Sequence, residues 1–178
     1  SDGSTPTVED VMLLASNLFA AGQETTVRLL TFSLQKLAED QDLQRQLRAN
    51  PEMVSAFVEE ALRFESPIKG DFRLAKRTTA IGGVTIPAGS TLMLLNGAAN
   101  RDDRKFECPN EFRPDRDDAR EHVAFGHGIH FCIGAALARA EGRITVEKML
   151  QRFVDIAISE EHHGPAGDRK FRYVPTYM

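Results

Sequence analysis

The run FGHGIHFCIG, residues 125–134, decides how the rest of the chain is read. It sets a lone cysteine, Cys132, among three glycines, two histidines and two phenylalanines, directly before the alanine-rich stretch AALARA. A free cysteine is by default a small buried hydrophobe. The neighbours argue for more, because Gly126, Gly128 and Gly134 allow conformations and close approaches that side chains forbid. A helix opening just after Cys132 would place its sulfur beside unpaired N–H groups and the positive end of the dipole, which favour a thiolate. A thiolate is a metal ligand or a nucleophile. Zinc is one alternative, with His127, His130 and Cys132 close together and Cys108 available, although the chain has no paired Cys-x-x-Cys ligands.

Outward from this run, Gly134 to about Phe153 reads as an amphipathic helix. Before it, residues 101–121, RDDRKFECPNEFRPDRDDARE, are charged, proline-containing and aperiodic, which predicts an ordered irregular meander. From Phe72 to Leu95 the texture is that of short strands, Thr78–Ile81, Val84–Ile86 and Thr91–Leu95, separated by glycine turns. Asn50 followed by Pro51 predicts an N-cap and first turn of a helix that stops before Ser66 and Pro67, with Val54, Phe57, Ala61 and Phe64 on its inner face. A short helix is expected at 42–49. Earlier still, Pro6 sits where a first turn would begin, and the spacing of Val8, Val11, Met12, Ala15, Leu18 and Phe19 predicts one long helix from about Thr7 to Glu39. Such a helix would run ~45–50 Å and is expected to be central. Residues 160–178 are polar with little period, and the ending YVPTYM stops where a strand could continue.

Composition bounds the function. A net charge of -4 gives no global reason to expect nucleic-acid or membrane-surface binding. Two cysteines are too few for a disulfide framework, so a reducing cytoplasm is the economical reading, with Cys108 structural. No apolar run approaches the ~18 residues of a membrane span.

Three other stretches carry chemistry. In AAGQETT, residues 20–26, Gly22 costs helix stability by roughly 0.5–1 kcal/mol, which makes sense where another group approaches the backbone. There Thr25 can bond back to the Ala21 carbonyl and open space beside the helix. Glu24 and Thr25 point ~100° apart, so a proton path between them needs water. EEALR, residues 59–63, sets Glu60 and Arg63 one turn apart, an arrangement that taken alone is an ordinary surface pair. PNEFRPDR, residues 109–116, would stiffen the meander and present Arg116.

In this order the four segments resemble the C-terminal part of a cytochrome P450, the haem-thiolate monooxygenase family. The run 125–134 matches Phe-x-x-Gly-x-x-x-Cys-x-Gly at Phe125, Gly128, Cys132 and Gly134. AGQETT resembles the family's oxygen-activation stretch, EALR its Glu-x-x-Arg, and PNEFRPDR its Pro-x-x-Phe-x-Pro-x-Arg. The resemblance implies a mainly α fold with small antiparallel β-sheets, of the soluble bacterial type, over a single partial domain, 1–178, whose N-terminal half is absent.

It also implies haem b with Cys132 as axial thiolate, tempered by N–H groups near Gly134, with Phe125 packed by the sulfur. Ala21 and Gly22 would leave room over the haem, Thr25 would steady dioxygen and pass protons, and Glu24 would feed it through water. Glu60, Arg63 and Arg116 would form a network tying helix to meander, while Arg73 and His130 would contact the propionates. The strands near Arg73 would line a substrate cavity, and Arg139 with Arg143 could join a basic face for an electron donor. The implied partners are dioxygen, a small organic substrate and a ferredoxin or other separate electron donor. The alternative is a truncated, noncatalytic haem-binding module.

Overall fold

A computed structural model of the chain describes residues 5–163; the YVPTYM ending and most of the polar tail lie outside them. Helix α1 spans Val8–Glu39. It opens with a capping box, in which Thr7 Oγ1 accepts from the Asp10 N–H (3.1 Å) while the Thr7 N–H donates to Asp10 Oδ2 (3.0 Å). Pro6 therefore stands just outside the helix rather than in its first turn. Asp40 ends α1 and starts α2, Gln41–Ala49, its carboxylate accepting from the Leu43 N–H at 2.9 Å.

Asn50 does not cap the next helix as expected. Its side-chain amide turns back to donate to the Gln46 carbonyl (3.0 Å), and Pro51 opens a single 3-10 turn, Pro51–Met53, before α3, Val54–Phe64. Two separate two-stranded antiparallel sheets follow. Strand β1, Asp71–Leu74, pairs with β4, Thr91–Leu94, in a register that sets Arg73 opposite Leu92. Strands β2, Thr79–Ile81, and β3, Val84–Ile86, form a hairpin turned by Gly82 and Gly83 at φ +56° and +80°, the left-handed values that a two-residue turn requires. A single-turn α4, Asn96–Ala99, leads into the meander, then α5 spans Ala135–Arg152 and α6 Glu160–His163.

The core lies where α1, α2, α3 and α5 meet, around Leu29, Leu37, Leu47, Phe57, Leu62 and Val146. Each such side chain contributes roughly 1.5–3 kcal/mol by leaving water. Phe112 carries the meander onto this core, edge-to-face with Phe57 and Phe64 at 5.6 Å each. Gly142 marks the closest approach of α5, since a Cβ there would lie 3.0 Å from Val58 Cγ1 and 3.3 Å from Leu29 Cδ2. Buried Gln44 fastens the chain after α5, accepting from the Ile156 N–H (3.1 Å) and donating to its carbonyl (3.0 Å).

The expectation that α1 is central holds for its second half, where Leu29, Phe32 and Leu37 are buried. Its first half is solvent-facing: Val8, Leu14 and Phe19 are 78%, 63% and 70% exposed.

Candidate functional site

Residues 125–134 form a closed loop. The Cys132 N–H donates to the Phe125 carbonyl at 2.9 Å, so the two ends of the run are tied together. Inside it Gly126 and Gly128 both take φ +71°, a region costly for any residue with a Cβ, and residues 128–130 make one 3-10 turn. Helix α5 starts at Ala135 with Gly134 as a cap that supplies no side-chain acceptor. A Cβ on Gly134 would stand 3.8 Å from Cys132 Sγ, which puts the sulfur over the helix start. Cys132 is exposed, and so are the apolar residues that flank it in the chain, Ile129 (97%), Phe131, Ile133 (92%) and Leu137. Exposed apolar residues on both sides of an exposed cysteine suit a flat hydrophobic group.

Glu60 and Arg63 are fully buried rather than a surface pair. Arg63 places all five guanidinium donors. Nε and Nη2 grip Glu60 Oε2 and Oε1 at 2.7 and 2.8 Å, Nη1 reaches the carbonyls of Asn100 (2.7 Å) and Pro109 (2.9 Å), and Nη2 reaches that of Glu111 (3.2 Å). Glu60 Oε1 also accepts the Arg113 N–H at 2.8 Å. Arg116 approaches Glu60 Oε2 through Nε at 3.5 Å and donates to the carbonyls of Glu107 (2.6 Å) and Cys108 (3.2 Å). These bonds turn meander carbonyls inward, and Cys108 takes φ +45°, rare for a residue with a Cβ.

A second cluster was invisible in the sequence. Glu59, adjacent to Glu60 and so rotated ~100° around α3, is buried and accepts from Arg139 Nε at 2.7 Å. His122, also buried, faces Glu59 Oε2 through Nε2 at 3.2 Å while its Nδ1 accepts the Ala124 N–H at 3.2 Å, an arrangement that leaves the ring proton on Nε2. Burial pushes the Glu59 carboxyl up, but the hydrogen bonds from His122 and Arg139, and then the charge of Arg139, outweigh it and hold the group at about 2. The Arg139 guanidinium lies 4.6 Å over the Phe125 ring, and His122 packs 5.7 Å from it. Arg139, expected on a solvated basic face, is thus engaged inward, and Arg143 pairs with Glu147 at 2.8 Å. Nothing in EEALR indicates that Glu59 meets partners 63 and 80 residues further along the chain.

In α1, Thr25 Oγ1 donates to the Ala21 carbonyl at 2.7 Å, and Glu24 pairs with Arg28 at 2.7 Å along the helix rather than turning toward Thr25. Ala21 and Gly22 are exposed, and a Cβ on Gly22 would meet nothing within 4 Å. One residue on, Thr26 Oγ1 donates to Glu141 Oε2 (3.2 Å), joining this stretch to α5. Arg73 and His130 are both exposed, with Arg73 Nη1 on the Phe72 carbonyl at 2.8 Å. Among the described residues no three His, Cys, Asp or Glu side chains gather in a metal-binding group, so the zinc alternative has no ligand set. Among them, too, no helix is long and apolar enough to cross a membrane.

Comparison with known proteins converges on one family. The family model described as Cytochrome P450 matches residues 1–165. The chain is 51% identical to cytochrome P450 144 of Mycobacterium tuberculosis over 135 residues, 76% of this chain and 31% of that protein. It is 41% identical to the cytochrome P450 monooxygenase PikC of Streptomyces venezuelae, over 88% of this chain and 38% of that one. The solved substrate-free cytochrome P450 CYP150A6 of Mycobacterium marinum superposes with a TM-score of 0.94 at 54% identity, covering 99% of this chain and 44% of that structure. The chain therefore spans less than half the length of these relatives. A mainly helical architecture with small antiparallel sheets, a glycine-turned cysteine loop and matches of this extent establish that the chain belongs to the cytochrome P450 family.

Proposed function

We propose that the protein containing this chain is a haem-thiolate monooxygenase that oxidises a small organic substrate, with Cys132 as the axial ligand of haem b. The observation that carries this reading is the exposed Cys132 at the start of α5, in a loop locked by the Cys132 N–H to Phe125 carbonyl bond and flanked in the chain by exposed apolar residues. When bound, haem supplies the redox chemistry by which one atom of dioxygen enters the substrate and the other leaves as water.

The chain's own residues then have separable tasks. The start of α5 carries no side-chain cap, and its N–H groups near Gly134 would temper the electron density of the ligand sulfur. Phe125, half-buried beside the loop, limits water at the sulfur. The Thr25 hydroxyl can leave the Ala21 carbonyl to hold and pass a proton, which Glu24 resupplies through water. Ala21 and Gly22 leave room beside them. Arg73 and His130 are free to meet propionates, and Glu60, Arg63 and Arg116 keep the meander folded against α3. Electrons come from a ferredoxin or another separate donor.

A second reading is a haem-binding module without turnover. One experiment tests the first claim. The haem-loaded protein is expected to give a thiolate-type spectrum with a red-shifted carbon monoxide band on reduction. An unchanged spectrum in Cys132→Ser would refute the ligand assignment. If the band is present, but substrate oxidation is absent with electron donors supplied, the module reading prevails.

A further inference from the structure

Glu59, His122 and Arg139 have no part in the motifs that mark the family, and their side chains converge on the run that carries Cys132. We propose that these three residues form a clamp, distinct from the Glu60–Arg63–Arg116 network, that positions Phe125 and through it the Cys132 loop. The proposal rests on the reading of Cys132 as the haem ligand for its functional consequence, and on geometry alone for the clamp itself.

Three independent contacts fix the approach to the loop. Glu59 holds the His122 ring, and the other ring nitrogen holds the Ala124 N–H. Between them the Val123 N–H donates to buried Asn100 Oδ1 at 2.7 Å. The chain thus arrives at Phe125 with its last backbone donors already placed. The Phe125 ring is then held by the Arg139 guanidinium and the His122 ring, and its carbonyl accepts the Cys132 N–H. Arg139 stands on the first turns of α5 and bonds Glu59 of α3 through both Nε and Nη2, at 2.7 and 3.2 Å. One carboxylate therefore ties together the two ends of the cysteine run: the irregular segment entering it and the helix leaving it. Arg120, mostly exposed with Nε 3.6 Å from Glu59 Oε1, adds charge but no hydrogen bond. The division of labour follows from helix geometry: adjacent glutamates ~100° apart face different neighbours, Glu60 the meander and Glu59 the cysteine loop.

The test is hydrogen–deuterium exchange of the protein in its natural full-length form, haem-free and haem-loaded, comparing Glu59→Gln, His122→Phe and, at the accessible edge, Arg139→Lys. Glu59→Gln keeps shape and loses charge. His122→Phe keeps an aromatic ring and loses both hydrogen bonds. Exchange across 123–134 is expected to quicken at least tenfold in the first two and less in Arg139→Lys, while 107–113, held by Glu60, Arg63 and Arg116, stays unchanged. The double variant Glu59→Gln with His122→Phe should be no faster than the worse single, as for residues acting as a unit. In the haem-loaded form, the thiolate-type fraction of the reduced carbon monoxide spectrum should fall at least twofold at temperatures where all variants remain folded. A purely stabilising role would lower the melting temperature and leave both readouts at their parent values, which would overturn the proposal. Should the parent protein lack the thiolate signature, the ligand assignment fails, and the exchange pattern of the haem-free protein still decides the clamp.

Discussion

Replacing Arg63 with methionine removes five hydrogen bonds from a site that water does not reach. Two of them hold Glu60, whose carboxylate would keep only the Arg113 N–H at 2.8 Å and Arg116 at 3.5 Å. Removing one partner of a buried ion pair costs about 3–5 kcal/mol. The carbonyls of Asn100, Pro109 and Glu111 lose their donor as well, each at about 1 kcal/mol or more if left buried and unpaired. The loss is then at least about 5 kcal/mol, comparable to the whole stability of a marginal domain. Urea unfolding of Arg63→Met should show a fall of this size or no cooperative transition. Adding Glu60→Gln should return about 1–2 kcal/mol, because the stranded charge is gone. Arg63→Lys keeps the charge with three donors in place of five and should fall between. If Arg63→Met stays within about 1 kcal/mol of the parent, the network is not what holds the meander.

Other expectations follow from single contacts. Gly142→Ala gains roughly 0.5–1 kcal/mol in helix propensity but drives a methyl to 3.0 Å from Val58 of α3; overpacking costs about 1–3 kcal/mol, so the melting temperature should drop, and a rise would contradict the close α3–α5 approach. The Glu59 carboxyl, held at about 2 against an ordinary 4.5, contributes stability that is present above pH 4.5 and lost as pH falls through 2. The contribution is at most about 3 kcal/mol, lowered by screening on the Arg120 side. In Glu59→Gln the stability profile between those pH values should flatten, and an unaltered slope would assign the titration elsewhere. Thr25→Val should change unfolding free energy by less than about 1 kcal/mol, because its hydroxyl bonds only its own helix, yet reduce substrate oxidation by about 100-fold or more if Thr25 passes protons.

The helices were readable from the local period of their apolar residues, and Pro51 marked the next helical turn; their caps were not, since Thr7 with Asp10 and Asp40 make the cap bonds while Pro6 and Asn50, the residues that drew the reading, do not. The glycine pair at 82–83 announced its hairpin for the same reason. Strand β1 was read only within the strand texture that begins at Phe72, without bounds of its own: the alternation of Asp71–Leu74 lasts four residues, and what makes it a strand is the partner that β4 offers ~20 residues away. Glu60 and Arg63 were legible as a pair but not as buried, since an i,i+3 pair looks the same in water or core. What covers them is the meander folding back, through the Pro109 and Glu111 carbonyls and the Phe106 ring, 5.2 Å from the Arg63 guanidinium. The cysteine loop carried its own signature in its glycines. The Glu59 cluster had none, because His122 and Arg139 meet Glu59 only after α3 and α5 have packed.

The most direct test of the account is X-ray absorption at the iron edge of the haem-loaded protein beside its Cys132→Ser variant. One sulfur in the iron coordination shell of the parent, absent from the variant, is the predicted result. A shell of nitrogen and oxygen alone in the parent, or a sulfur that persists without Cys132, would contradict it.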